Sequence, residues 1–309
     1  TVINDIFSHQ DWLPTLLAAV GEPDIKQKLL KGHKADGKTF KVHVDGYDQT
    51  ALLKGAPLAA MVILLVAAGY LELAKLSVLA GASVFRFTGL LASLLIASLP
   101  FFRQIMAVGD HGEAVLPVLL GLTVGALFID QLVHYRTEHR IRHMGASLLA
   151  ICYLGIGAAV VLSIRIRFGL PAFVLFLAAV KSCDIGAYFV GSLIGRHKLI
   201  PWLSPGKTVE GLIGGMAVAA ACTVGLSRGL AALFGEAGQV GMSLWAAAMF
   251  GATLGLAGQA ADLCESALKR AAGLKDSGTV LPAFGGVLDV VDSPLLAAPV
   301  AYVLLAAGG

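Results

Sequence analysis

The chain has 309 residues, of which 57% are hydrophobic and only 14% are charged, and its mean hydropathy is +0.80. A soluble domain is normally about a quarter charged, so this composition excludes an ordinary soluble enzyme. The net charge is only +3 and no polybasic tract is present, which argues against nucleic acid as a partner. Membrane lipid is therefore the expected surrounding of most of the chain.

The composition changes sharply near residue 55. The first 55 residues hold 14 charged side chains, whereas the remaining 254 hold 29. We therefore divide the chain into a short polar N-terminal extension, residues 1–55, and a transmembrane domain, residues 56–309.

The transmembrane domain contains stretches that approach the length of about 20 apolar residues needed to cross a bilayer. They predict an all-α fold, a polytopic transmembrane helical bundle of about eight spans. The spans are expected near residues 56–74, 86–102, 114–133, 145–164, 170–194, 209–227, 240–262 and 290–307. Small residues recur within the later spans, where their close spacing is typical of helix packing in lipid.

The Lys and Arg residues of the loops are distributed unevenly between the two sides of the membrane. With eight spans, eleven of these residues lie on one side and four on the other. Since cationic loops face the cytoplasm, the eleven-residue side is expected to be cytoplasmic. An even number of spans then places residues 1–55 on the opposite side, in conflict with the lysines of that extension.

The first polar cluster within the spans contains Lys181, Asp184 and Tyr188, whose spacing puts them on one helix face. Ionisable groups at membrane depth are costly and usually mark a functional path. The alternative is a structural Lys–Asp pair that neutralises itself inside the bundle.

The second cluster is the stretch 204–211, with the sequence SPGKTVEG, at the start of an apolar helix. It is not a P-loop, because Pro201 stands where that motif requires glycine. Ser204 or Thr208 can cap the helix, and Lys207 adds a positive charge beside free backbone N–H groups, a combination that attracts anions. The alternative is an ordinary helix start.

The third cluster lies at the end of the seventh span. Two carboxylates, a hydroxyl and an ammonium share one helix face there, and further cations and carboxylates follow. The residues are Asp262, Glu265, Ser266, Lys269, Arg270, Lys275, Asp276, Asp289 and Asp292. Carboxylates suit Mg²⁺ and the cations suit a polyphosphate, so the cluster indicates nucleotide phosphoryl chemistry at the membrane surface. A solvated charged loop is the alternative.

These motifs resemble those of the phosphatidate cytidylyltransferases, the CDP-diacylglycerol synthases. The matching stretches are 184–191 (DIGAYFVG), 203–211 (LSPGKTVEG) and the C-terminal signature, which begins with SALKR at 266–270, continues with KDSG at 275–278 and ends with LPAFGGVLD at 281–289 and Asp292-Ser. The resemblance covers residues 56–309. It implies the reaction of CTP with phosphatidate to give CDP-diacylglycerol and diphosphate, as a step of phospholipid biosynthesis in a bacterial inner membrane. It also implies a homodimer.

The resemblance, together with the spacing within the third cluster, indicates a role for each candidate residue. Asp262, Asp276 and Glu265 would hold Mg²⁺, alone or with a second cation. Lys269, Arg270 and Lys275 would act with these carboxylates in catalysis by holding the triphosphate or the lipid phosphate. The substrate-binding residues would be Ser204, Lys207, Thr208, Ser266, Asp184, Asp289 and Asp292.

Two departures from the family pattern lie in the C-terminal signature. Phe284 replaces a frequent His, and Val290 replaces a frequent Arg. A phenylalanine can neither transfer a proton nor bind an anion, so any role of that His is absent or is supplied elsewhere. An inactive paralogue is the alternative.

Residues 1–55 resemble a different family. The stretches 8–21 (SHQDWLPTLLAAVG) and 37–47 (GKTFKVHVDGY) are similar to a C-terminal portion of arylsulfatases. The sulfatase nucleophile motif occurs nowhere in the chain, so we interpret the extension as a fragment without catalytic function.

Three other functions remain open. A CTP-dependent lipid-alcohol kinase and an ether-lipid cytidylyltransferase would need similar residues. A membrane transporter would also carry intramembrane charges, but the two halves of the chain show no evident inverted repeat.

Overall fold

A computed structural model describes residues 25–31, 33–35, 38–40, 56–106, 114–134, 140–278 and 285–308. Phe284, which stands where the resembled family often has His, lies outside the described residues. The elements are α1 (Ile25–Lys31), β1 (His33–Ala35), β2 (Lys38–Phe40), α2 (Ala56–Leu79), α3 (Arg86–Met106), α4 (Val115–His134), α5 (Arg140–Ala150), a π-helical segment (Ile151–Ile156), α6 (Gly157–Ile194), β3 (Lys198–Ile200), β4 (Ser204–Thr208), α7 (Val209–Phe234), a 3₁₀ turn (Gly235–Gly238), α8 (Leu244–Ala271) and α9 (Leu288–Gly308).

The predicted polytopic helical bundle is confirmed. Within the described residues, seven helical segments are long and apolar enough to cross a membrane. The eight stretches expected from the sequence overlap these seven segments, and their ends differ by up to nine residues. The fourth and fifth stretches lie in one helical run of 55 residues, Arg140–Ile194.

Gly169 divides this long run into two crossings. A straight helix of that length would extend for about 80 Å, far beyond the ~30 Å of a bilayer core. At Gly169 the backbone adopts φ 82° and ψ −179°, and Pro171 follows. A φ in this range favours glycine, which has no Cβ to clash. The break explains why eight apolar stretches form seven continuous helical segments.

Contacts with α9 show that the chain reverses at Gly169. Before the break, Gly157 packs against Leu295, and the guanidinium of Arg167 donates a hydrogen bond of 2.7 Å to the hydroxyl of Tyr302, so this arm runs parallel to α9. After the break, the ammonium of Lys181 lies 3.3 Å from the carbonyl oxygen of Val290, back at the start of α9.

The glycines of the later spans permit close helix packing, as predicted. A Cβ at Gly215 of α7 would lie 2.7 Å from the carbonyl oxygen of Cys183 of α6. A Cβ at Gly251 of α8 would lie 2.5 Å from the carbonyl oxygen of Ala219 of α7. Real Cβ atoms do not approach oxygen so closely. A side chain at either position would therefore push the helices apart, and glycine allows α6, α7 and α8 to pack closely.

The described strands form two short hairpins. In the extension, β1 pairs with β2 in antiparallel fashion, and His33 lies opposite Phe40. At the end of α6, β3 pairs with β4, and Lys198 lies opposite Thr208. The stretch 204–208, expected to begin a helix, is therefore a strand, and the helix begins at Val209.

The polar motifs meet at one end of the bundle. The C-terminal ends of α2, α6 and α8 and the N-terminal ends of α7 and α9 all lie there, as the contacts described below show. The loops after spans one, five and seven therefore share a side within the described residues, as an arrangement of eight crossings requires. This side holds the cation-rich loops.

Candidate active site

Three carboxylates converge between α8 and α9. Asp262 and Glu265 stand one helical turn apart on α8, and Asp292 comes from the first turns of α9. One ligand atom from each of the three lies within 4.8 Å of those of the other two. Asp262 is partly exposed, whereas Glu265 and Asp292 are each only 2% exposed. We call these three residues the carboxylate cluster.

The carboxylate cluster has the chemistry of a site for a hard cation. Among the described residues, the buried Glu265 Oε1 has no hydrogen-bond partner, and the buried Oε2 has only its ion pair with Lys269. Like charges held this close repel one another in a medium of low dielectric constant, and buried polar atoms without partners are costly. A divalent cation with oxygen ligands would relieve both costs, so the residues present fit Mg²⁺.

Two ammonium groups flank the carboxylate cluster. Lys207 of β4 forms an ion pair with Asp262, and its Nζ lies 3.4 Å from the carbonyl oxygen of Gln259. On the opposite side, the Nζ of Lys269 lies 2.5 Å from Glu265 and 2.6 Å from Asp289. The second and third polar clusters of the sequence are thus joined in space, as the prediction of one phosphate site requires.

Asp289 organises the loop between α8 and α9. Its Oδ2 accepts hydrogen bonds from the backbone N–H of Ser277 (3.0 Å), from the Ser277 hydroxyl (2.8 Å) and from the Gly286 N–H (2.7 Å). Its Oδ1 accepts from Lys269 at 2.6 Å. Four donors therefore surround this carboxylate, which holds the loop and the Lys269 ammonium in place. A direct substrate contact by Asp289 stays a prediction.

Glu72 of α2 belongs to the same end of the bundle, although it was not among the site residues predicted from the sequence. Its carboxylate accepts hydrogen bonds from the N–H groups of Val287 (2.9 Å) and Leu288 (3.0 Å) and from the Ser277 hydroxyl (3.2 Å). The residue is 3% exposed. It therefore caps the N-terminus of α9, the helix that carries Asp292. Its position inside the first predicted span was a signal, since carboxylates in spans usually have a function.

Asp184 is linked to the carboxylate cluster through a residue that the sequence analysis also missed. The side-chain amide of Gln259 donates a hydrogen bond of 2.8 Å to Asp184 Oδ1. The backbone carbonyl oxygen of Gln259 lies 3.4 Å from Lys207 Nζ. Lys181 Nζ lies 3.9 Å from Asp184 Oδ2, so the Lys–Asp pair of the structural alternative is present. Tyr188, predicted to share this face, is 72% exposed on the outside of the bundle and takes no part.

Thr208 caps α7, as predicted. Its hydroxyl oxygen accepts a hydrogen bond of 3.1 Å from the Gly211 N–H. Ser204 stands at the far end of β4, opposite Ile200, so of the two predicted caps only Thr208 has this role. Ser266 lies on α8, between Glu265 and Lys269, and is half-buried.

Asp276 does not join the carboxylate cluster, in contrast to the predicted metal set of Asp262, Asp276 and Glu265; Asp292 occupies that place. The segment after α8 runs towards Glu72 and carries Asp276 with it. There, Asp276 and Lys275 line a cavity of about 420 Å³ that also contains Lys75 of α2.

Arg270 supports the loop rather than the carboxylate cluster. It donates hydrogen bonds to the carbonyl oxygens of Leu203 (3.5 Å) and Leu274 (3.1 Å). These bonds tie the end of α8 to the segment before β4. Contact of Arg270 or Lys275 with a phosphate stays a prediction.

Comparison with known proteins identifies the family. A model of the cytidylyltransferase family matches residues 44–307. The chain belongs to this family. The match begins at residue 44, twelve residues before the boundary that the change in composition indicated.

Relatives within the cytidylyltransferase family are about a third identical to this chain over the aligned residues. The phosphatidate cytidylyltransferase of Staphylococcus epidermidis is 35% identical over 206 residues, which are 65% of this chain and 75% of the relative. That of Staphylococcus saprophyticus is 34% identical over 203 residues, with the same coverage. That of Bacillus subtilis is 36% identical over 182 residues, which are 58% of this chain and 65% of the relative.

Proposed function

We propose that this chain is an integral membrane phosphatidate cytidylyltransferase that transfers CMP from CTP to phosphatidate and releases diphosphate. The observation that carries the proposal is the carboxylate cluster between Lys207 and Lys269 at one end of a membrane bundle. Both substrates are phosphate anions, one dissolved in water and one anchored in lipid. A cationic and metal-binding site at the membrane surface is where they can meet.

In the reaction, a phosphate oxygen of phosphatidate attacks the α-phosphorus of CTP, and diphosphate leaves in line. The attacking oxygen is already an anion near neutral pH, so little help from a general base is needed. The main obstacle is repulsion between two anions, which positioned cations overcome. Lys207 and Lys269 would contact phosphate oxygens from opposite sides of the carboxylate cluster.

Asp262, Glu265 and Asp292 would hold Mg²⁺. When bound there, Mg²⁺ supplies neutralisation of the charge on the reacting phosphate oxygens. The protein contributes the fixed geometry of its ligands: Glu72 and Asp289 hold the start of α9, and Gln259 connects α8 with Asp184. Asp276 and Lys275 would contribute from the adjacent cavity, where Asp276 would take a second cation with the nucleotide.

The position of the label separates this proposal from the kinase alternative. The purified protein with CTP labelled at the α-phosphate, phosphatidate and Mg²⁺ is expected to yield labelled lipid. CTP labelled at the γ-phosphate should leave the lipid unlabelled and release labelled diphosphate. Label from the γ-position in the lipid would instead show a kinase and contradict the proposal. Replacing phosphatidate with its ether analogue in the same assay tests the ether-lipid alternative.

We further propose that the active site faces the cytoplasm of a bacterial inner membrane. The described loops on the site end contain ten Lys and Arg residues, whereas the described opposite end contains Arg103, Arg165, Arg167 and Arg228. The ten are Lys75, Arg86, Arg140, Arg142, Arg196, Lys198, Lys207, Lys269, Arg270 and Lys275. This asymmetry follows the positive-inside rule, and CTP is a cytoplasmic nucleotide. The homodimer implied by the resemblance stays a prediction.

Cysteine labelling in intact cells tests this orientation. In a variant without the four native cysteines, Arg196→Cys lies at the site end and Gln239→Cys at the opposite end, and both positions are exposed. A maleimide that does not cross the inner membrane is expected to label position 239 in intact cells and position 196 only after the inner membrane is permeabilised. The reverse pattern would contradict the orientation.

A further inference from the structure

Tyr153 carries a buried hydroxyl without a partner beside the proposed active site. It lies in the π-helical segment, Ile151–Ile156, that joins α5 to α6. The residue is 7% exposed, and its hydroxyl oxygen has no hydrogen-bond partner among the described residues. A tyrosine hydroxyl normally finds a partner when it is buried, and π-helical turns are frequent at functional sites.

The packing of α6 on α9 places Tyr153 at the level of the carboxylate cluster. Gly157 packs against Leu295, and these two helical arms run in parallel. One turn back along each helix brings Tyr153 to the level of Asp292. Tyr153 therefore lies at the level of the carboxylate cluster, but its hydroxyl donates to none of the cluster's oxygens.

We propose that Tyr153 is a substrate-binding residue whose hydroxyl donates a hydrogen bond to a phosphate oxygen held at the carboxylate cluster. This inference rests on the proposed function, because it requires a phosphate-bearing substrate at that place. A phosphate oxygen is an anionic acceptor, and hydrogen bonds to charged acceptors are the strong ones. The substrate thus supplies the acceptor that the protein alone does not provide.

Tyr153→Phe in the full-length purified protein tests the inference, because it removes the hydroxyl and leaves the ring. The thermal midpoint should stay at the wild-type value or rise, since no hydrogen bond within the protein is lost. The kcat/KM for CMP transfer should fall roughly ten- to hundredfold, the effect expected for a hydrogen bond to a charged group. Calorimetry with CTP and Mg²⁺, without phosphatidate, shows which substrate carries the phosphate that Tyr153 contacts. A lower CTP affinity in the variant assigns the contact to the nucleotide. An unchanged CTP affinity with a raised KM for phosphatidate assigns the contact to the lipid.

Tyr70→Phe is the matched control. The Tyr70 hydroxyl is also buried, but it donates a hydrogen bond of 3.0 Å to the carbonyl oxygen of Phe85. Its removal should lower the thermal midpoint and leave the kcat/KM of the folded protein unchanged. Wild-type kinetics and wild-type CTP affinity in Tyr153→Phe would overturn the inference, as would a loss of stability with normal kinetics. If the wild-type protein transfers no CMP, the proposed function fails, while CTP affinity still tests Tyr153.

Discussion

Asp292→Asn is expected to lower the kcat for CMP transfer by about a thousandfold or more, because a metal ligand contributes several kcal/mol to the transition state and each 1.4 kcal/mol is a factor of ten. The substitution keeps the size of the side chain and removes one negative charge from the carboxylate cluster. Steady-state CMP transfer from CTP to phosphatidate at saturating Mg²⁺ measures the effect.

The same substitution should leave the folded protein intact. Without a bound cation, the Asp292 carboxylate is held near those of Asp262 and Glu265, so an amide relieves repulsion, and the thermal midpoint without Mg²⁺ should stay constant or rise. Asp130→Asn is the matched control. Asp130 accepts a hydrogen bond of 2.6 Å from Thr88 within the bundle and lies on α4, which contributes nothing to the carboxylate cluster. Equal activity losses in the two variants would contradict the assignment.

Glu72→Ala is expected to have the second largest effect, on stability and on catalysis together. It leaves the backbone N–H groups of Val287 and Leu288 without their acceptor in a buried place, whereas the Ser277 hydroxyl keeps Asp289. An abandoned buried donor costs about 1–3 kcal/mol, so the loss of unfolding free energy should reach several kcal/mol. The freed start of α9 would also misplace Asp292. Thermal unfolding and CMP transfer by the remaining folded protein measure the two effects.

Glu72→Gln separates positioning from simple destabilisation. Glutamine keeps one acceptor oxygen but turns an NH₂ group towards the donors, so it should fold better than Glu72→Ala and still show a lowered kcat. Tyr70→Phe, two residues earlier on α2, removes a buried hydrogen bond that does not touch the 277–288 loop. It should lose stability without losing kcat. A Glu72→Gln variant with wild-type kcat would show that the capping of α9 is not needed for catalysis.

Hydropathy was sufficient to predict the membrane helices, because each span must satisfy its backbone hydrogen bonds internally and covers itself with apolar side chains. The joining of the fourth and fifth stretches into one run was not predictable from hydropathy. Loop residues are normally polar, whereas the reversal at Gly169 needs only one glycine in a positive-φ conformation followed by Pro171.

The sequence predicted that carboxylates gather near the end of α8, but it did not predict which three of them form the carboxylate cluster. Asp262 and Glu265 share a helix face, so their spacing alone predicted their proximity. The third member depends on how α9 returns to α8, and spacing could not decide between Asp276 and Asp292. Helical packing favours Asp292, because it stands on a rigid helix that faces α8, whereas Asp276 belongs to the connecting segment.

Glu72 and Gln259 were missed because their partners are distant in sequence. Glu72 binds Ser277, 205 residues away, and Gln259 binds Asp184, 75 residues away. The sequence signal for Glu72 and Gln259 was that a polar side chain within a membrane span is energetically costly. The same rule would have identified both residues had every polar side chain within the predicted spans been included.

Binding of Mn²⁺, as a paramagnetic substitute for Mg²⁺, tests whether Asp262, Glu265 and Asp292 form a metal centre, because it requires no turnover. Electron paramagnetic resonance on the purified protein measures the bound ion. We expect Mn²⁺ to bind to the wild-type protein and to Asp276→Asn, and binding to be lost in Asp292→Asn. Retained binding in Asp292→Asn, together with lost binding in Asp276→Asn, would place the cation at the cavity and contradict a metal centre formed by Asp262, Glu265 and Asp292.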